Sequence, residues 1–179
     1  MGESVIAGLL RKNLVDPANI AASHPRENRR AELVEKHAIS TFADNAEAVK
    51  FVAGGENSAI IICVKPQRLE RVLNDLKGIL HPDQLVISIV AGARIEHLAE
   101  ELGTAKVVRA MPNTPSQIGA GITAWTCTEA VGETERGHAS PTDVRQQVGG
   151  QCRSHGKRQR RRQAQRARQQ GPVAARREF

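Results

Sequence analysis

Between Asn19 and Arg109 the chain alternates short β-branched and aliphatic runs with longer stretches whose apolar positions recur at helical spacing. The runs Ser58 to Val64 and Gln84 to Ile89 are almost continuously apolar. That is the pattern of strands covered on both faces in a parallel sheet. Asn19 to Ala22 and Lys106 to Arg109 are shorter strand-like runs. Helices are predicted over Arg26 to His37, Asn45 to Val52, Gln67 to Leu76 and Arg94 to Leu102. In the first of these, Leu33 and Val34 sit among charges, and Glu32 precedes Lys36 in the favourable i,i+4 order. Strands alternating with helices of about ten residues make βαβ units. The expected class is α/β, with a Rossmann-type, doubly wound, mostly parallel sheet.

Two features depart from a complete domain of that kind. The chain enters a helical stretch at once, Val5 to Leu10 after Met1-Gly2-Glu3-Ser4. A doubly wound sheet normally opens on a strand, central in the dinucleotide-binding version. The sheet is therefore expected to lack its first strand, to leave two neighbouring ladders unpaired, and to fold poorly. The other departure is the segment from Pro141 to Phe179, which contains no Leu, Ile or Trp and carries runs such as Lys157 to Arg162. Such a segment buries too little to offset its ordering entropy, so disorder is expected.

Charge sharpens this boundary. The formal net charge is +7, with 26 Lys and Arg against 19 Asp and Glu. Through Ser140 the count is 15 basic against 17 acidic; from Pro141 onward it is 11 against 2. All the positive excess lies in the tail, so the isoelectric point says nothing about what the front part binds. Residues 1–139 are expected to form a nucleotide-binding domain incomplete at both ends, and 140–179 a basic tail. The three cysteines, Cys63, Cys127 and Cys152, form no C-x-x-C pair. That spacing argues against a disulfide framework or a metal site and fits reduced thiols in a cytoplasm. No apolar run approaches the roughly 20 residues needed to span a bilayer.

Candidate chemistry gathers where strands should end. Met1-Gly2 before a helix offers free backbone N–H groups and a positive dipole end to an anion, or is simply a glycine before a helix. After the strand Asn19 to Ala22 come Ser23-His24-Pro25-Arg26, with no carboxylate for a ribose 2′-hydroxyl. A hydroxyl, an imidazole and a guanidinium suit a 2′-phosphate, so NADP is favoured, with NAD possible. The alternative is a capped helix start with Pro25 at its first position and Arg26, Arg29 and Arg30 solvated. Lys65, after Cys63-Val64, is either an anion contact or the polar end of a buried strand. Ala91-Gly92-Ala93 follows the next strand at the same level, where small residues permit close approach. The segment Met111-Pro112-Asn113-Thr114-Pro115 brackets Asn-Thr between prolines directly after a strand, and Gly119 and Gly121 follow. So constrained a backbone points to a ligand rather than a plain loop.

These motifs together resemble the nucleotide-binding domain of pyrroline-5-carboxylate reductases. The likeness rests on Met111 to Pro115 with its Gly-x-Gly, on Met1-Gly2, on Ala22-Ser23-His24-Pro25 and on Asp44-Asn45. Val64-Lys65-Pro66-Gln67 and Ser88-Ile89-Val90-Ala91-Gly92 extend it, and it covers about Met1 to Ala139. The family reduces the ring C=N of 1-pyrroline-5-carboxylate with a hydride from NAD(P)H, the last step of proline biosynthesis. The resemblance implies pyrophosphate contact at Met1 and Gly2 and adenosine-side contacts at Ser23, His24 and Asn45. It implies that Cys63, Val64, Lys65, Pro66, Ile89, Val90 and Ala91 line the cofactor further along. Met111, Pro112 and Asn113 would then lie near the nicotinamide. It assigns no catalytic residue.

The family pattern stops near Ser140. The helical domain that follows in the family supplies the dimer interface and most of the substrate site, and it has no counterpart here. An abrupt switch to Arg, Gln, Gly, Ala and Ser is what a shifted reading frame in a GC-rich gene produces. The expectation is an incomplete, inactive reductase. A second reading is a nucleotide-binding fragment with an arginine-rich nucleic-acid arm. It would bind unspecifically, since no aromatic residue is interleaved for stacking.

Overall fold

The computed structural model describes residues 1–52, 58–113, 123–133, 135 and the backbone of 151–152. The chain runs α1 (Gly2–Arg11), β1 (Ala21–Ser23), α2 (Glu27–His37), β2 (Ser40–Phe42), α3 (Asn45–Val52) and β3 (Ala59–Ile62). It continues through α4 (Leu69–Leu76), β4 (Leu85–Ser88), α5 (Ile95–Leu102), β5 (Val107–Pro112), β6 (Thr123–Cys127) and β7 (Gln151–Cys152). The mixed α/β class is as expected, and β1–β2, β3–β4 and β4–β5 pair in parallel.

The strands make two sheets, β1–β2 and β3–β4–β5–β6–β7, that share no ladder. Among the described residues β1 and β3 are each paired on one side only. Helix α3 bridges the two, packing against β1, β2 and α4, and Phe51 in α3 lies with its ring centroid 5.4 Å from that of Phe42 in β2.

Strands β4 and β5 of the larger sheet are covered on both faces, which accounts for their apolar runs, whereas β3 leaves Ala59 and Ile61 exposed on one face. On one face Ile62, Val86 and Val107 pack against Leu69, Leu73 and Leu76 of α4 and Leu98 and Leu102 of α5. On the other, Leu85, Val108, Cys127 and Val131 form a second cluster with Ile87 and Trp125. Helix α1 is amphipathic, yet none of its residues is buried.

Several boundaries differ from expectation for identifiable reasons. The strand predicted from Asn19 begins at Ala21, because Pro17–Asn19 form a 3₁₀ turn capped by Asp16, whose Oδ1 accepts from Ala18 N at 2.8 Å. Helix α2 starts at Glu27 with Arg26 as its N-cap, so Pro25 precedes the cap rather than opening the helix. Glu32 pairs with Arg29, not Lys36, and Lys36 reaches Glu3 instead. Residues Pro66–Arg68 are a 3₁₀ turn before α4. Strand β5 extends through Pro112 because β6 pairs with it antiparallel, Arg109 against Thr126 and Met111 against Ala124. Neither β2 nor β6 was expected. Gln151–Cys152 pair in parallel with Thr126–Cys127; the remainder of the tail lies outside the described residues.

Candidate functional site

The described candidate residues stand at the start of α1 or at or just after the ends of the parallel strands β1, β2, β3, β4 and β5. In open α/β sheets ligands bind at such strand ends. Met1 is the N-cap of α1 and no side chain caps the helix. The first helical bond runs from Val5 N to Met1 O at 3.2 Å, leaving the N–H groups of Gly2, Glu3 and Ser4 directed out of the helix start. Gly2 touches the end of β3: a β-carbon on it would lie 3.2 Å from Cys63 Cβ and 3.6 Å from Cys63 Sγ. Burial pushes the Cys63 thiol up to about 11, opposed by the nearby N-terminal ammonium. It is a packing group, not a nucleophile.

A carboxylate stands in this anion-receptive turn. Glu3 is held by Arg29 of α2, with Lys36 Nζ at 3.8 Å and His37 Nε2 at 3.4 Å. The hydrogen bond from Arg29 is the main cause that lowers the Glu3 carboxyl below its ordinary range. Arg29 also bonds Glu32. These basic groups turn the Glu3 charge toward α2 and offset the repulsion it would otherwise exert on an anion at the helix start.

At the end of β1, Ser23 Oγ donates to Asn45 Oδ1 at 2.6 Å, and Asn45 Nδ2 donates to Asp75 Oδ2 at 2.9 Å. Asp44 Oδ1 accepts from Ala46 N and Glu47 N, at 2.8 and 3.1 Å, and so caps α3 and sets Asn45 in place. His24 Nδ1 accepts from Arg26 N at 3.2 Å, which leaves Nε2 as the donor of the neutral ring. Arg30 Nη1 donates to the carbonyls of His24 and Pro25 at 2.9 and 3.1 Å. Arg29 and Arg30 are therefore engaged in holding structure, and His24 Nε2 and the exposed Arg26 remain facing the loop surface.

Beyond β3, Val64 is half-buried while Lys65 and Pro66 are exposed. Beyond β4, Val90 is 1% exposed and belongs to the core, so only its backbone can meet a ligand. Ile89 is half-buried and Ala91 exposed. Gly92 has φ +77°, a conformation that reserves this turn for glycine. At the end of β5, Met111 is 41% exposed, Pro112 half-buried and Asn113 exposed. Arg109, two residues earlier, extends toward that end, with Nη2 3.4 Å from Met111 Sδ, and its Nε is buried without a hydrogen-bond partner. Thr114, Pro115, Gly119 and Gly121 lie outside the described residues.

Sequence reasoning missed Asp75 and the contact between Glu3 and Arg29. No local pattern marks either, since the partners lie 30 and 26 residues apart. Among the described residues no group of His, Cys, Asp and Glu is placed to hold a metal ion, and no helix is long and apolar enough to cross a membrane.

Residues 1–92 match the family described as NADP oxidoreductase coenzyme F420-dependent. Over 127 residues the chain is 35% identical to the pyrroline-5-carboxylate reductase of Escherichia coli, covering 70% of this chain and 45% of that one. Among solved structures it is similar to a pyrroline-5-carboxylate reductase from Coxiella burnetii. The TM-score there is 0.72 and the identity 25%, over 96% of this chain and 68% of the other. The Plasmodium falciparum pyrroline carboxylate reductase, solved with NADP bound, gives a TM-score of 0.64 and 26% identity over 78% and 48%. The chain thus spans about half the length of the curated relatives it matches.

Proposed function

From the premise that the chain belongs to the NADP oxidoreductase coenzyme F420-dependent family, we propose that it is the coenzyme-binding part of a pyrroline-5-carboxylate reductase. The observation that supports this reading is the uncapped start of α1 packed against Cys63 at the end of β3, together with the similarity to pyrroline-5-carboxylate reductases. The pyrophosphate lies at the start of α1, where three N–H groups and the dipole meet it and Gly2 lets the turn sit against β3. The adenosine end lies toward Ser23, His24 and Asn45. The nicotinamide lies toward Met111, Pro112 and Asn113, with Cys63, Val64, Lys65, Pro66, Ile89, Val90 and Ala91 between.

The residues present suit such a group. The helix start is uncapped, Gly2 lets it sit close against Cys63, and His24 Nε2 and Arg26 offer donors to a 2′-phosphate. When bound, NADPH supplies the hydride that reduces the ring C=N of 1-pyrroline-5-carboxylate. The chain's own residues orient the coenzyme, keep its charge paired and exclude water from its apolar side. The similarity to a relative solved with NADP bound supports NADP as a coenzyme. Free thiols at Cys63 and Cys127 fit a cytoplasmic setting.

Titrating the purified chain with NADPH and following nicotinamide fluorescence tests the reading. Saturable binding that phosphate and pyrophosphate compete away is expected. Absence of binding at millimolar coenzyme would overturn it.

A further inference from the structure

Three side chains from three elements meet at the adenosine end: Ser23 at the end of β1, Asn45 at the start of α3, and Asp75 next to last in α4. All three are half-buried. Their order of donation is fixed from one end. The carboxylate of Asp75 only accepts, so it takes the amide N–H of Asn45 and turns the Asn45 carbonyl toward Ser23. That carbonyl also only accepts, so the single proton of the Ser23 hydroxyl is directed inward, at 2.6 Å. The face of Ser23 left for a ligand is a lone pair.

We infer that Asp75 is a positioning residue that sets coenzyme preference: by orienting Asn45 it makes Ser23 an acceptor, matched to a ribose 2′-hydroxyl and mismatched to a 2′-phosphate. This rests on the proposed reading of that edge as the coenzyme site. A 2′-hydroxyl has a proton to give to Ser23 Oγ. A 2′-phosphate needs donors, and to supply one Ser23 must turn its proton outward and leave Asn45 Oδ1 unsatisfied. His24 Nε2 and Arg26 pull the other way, toward the phosphate. The relay therefore brings the affinities for NADH and NADPH closer together than the two basic groups alone would.

The test is the ratio of dissociation constants for NADPH and NADH, measured on the full chain by nicotinamide fluorescence. Asp75→Ala frees the Asn45 amide to turn, and the ratio is expected to move toward NADPH by about fivefold, the worth of one ordinary hydrogen bond. Asp75→Asn keeps an acceptor for Asn45 while removing the charge, and its ratio is expected within about twofold of wild type. Ser23→Ala removes the acceptor itself, so it should weaken NADH and leave NADPH nearly unchanged. Circular dichroism confirms that each variant is folded. Should Asp75→Ala fail to fold, Ser23→Ala decides: equal loss of both coenzymes overturns the inference. So does a folded Asp75→Ala with the wild-type ratio, or an Asp75→Asn that shifts as far as Asp75→Ala, which would make the effect one of charge. If the wild-type chain binds neither coenzyme, the site reading itself fails and the inference with it.

Discussion

Gly2 and Cys63 are in contact across the start of α1 and the end of β3, so close that a β-carbon on Gly2 would sit 3.2 Å from Cys63 Cβ. Alanine at position 2 gains up to about 1 kcal/mol of helix propensity, which offsets the small shift it forces. Valine cannot be accommodated so cheaply. Gly2→Val is expected to destabilise the fold by about 1–3 kcal/mol and to weaken NADPH binding, while Gly2→Ala stays near neutral in stability. Thermal melts and NADPH titrations of the two variants side by side check this. Equal behaviour of the two would remove the argument from close approach.

The buried Cys63 thiol gives a second expectation. With its pKa raised from 9.0 to about 11, its thiolate fraction near neutral pH falls about 100-fold below that of an ordinary cysteine. Alkylation by iodoacetamide, followed at Cys63 by mass spectrometry, should be slowed to match. The sign of the linked stability follows from the raised value. The folded state holds the proton more tightly, so stability is fully present below pH 9 and is lost as pH rises toward 11. A Cys63→Ala variant should lack that alkaline loss.

Glu3 titrates in the opposite sense. Its carboxyl is lowered from 4.5, chiefly by Arg29, so its contribution is present above 4.5 and is lost as pH falls through the lower folded value. The pair is exposed to solvent, which screens it, so its worth is small. Melting wild type and Glu3→Gln from neutral to acid pH should show a small gap that closes in acid. A gap that persists under acid would mean that the lost packing, not the charge, matters.

Much of the fold could be read from the chain because its central strands are buried on both faces. Gln84 to Ile89 is apolar because it lies between the α-helices and the second cluster, while Ser58 to Val64 is buried against the helices on one face and leaves Ile61 exposed on the other. Helix α3 spans the predicted Asn45 to Val52, its start held by the Asp44 carboxylate. Strand β2 escaped notice because Ser40-Thr41-Phe42 is too short to show any period. Strand β6 escaped because Thr123 to Cys127 mixes polar and apolar residues and draws its order from β5. The edge where ligands would bind was legible only through whole motifs. The bonds that orient its side chains, Ser23 to Asn45 to Asp75 and Arg29 to Glu3, join residues that no local rule relates.

The separation of the two sheets has a consequence for how the molecule breathes. Among the described residues no ladder crosses from β1–β2 to β3–β7, so the backbone bonds of the smaller sheet are not locked by those of the larger. Cooperativity between them passes through side chains, above all those of α3 against β1, β2 and α4. The smaller sheet is therefore expected to exchange its amide hydrogens sooner than the core around Leu73, Val86 and Leu98. The Ser23–Asn45–Asp75 chain of hydrogen bonds, which joins β1 to α3 and α4, is where a ligand bound beside it would couple the two.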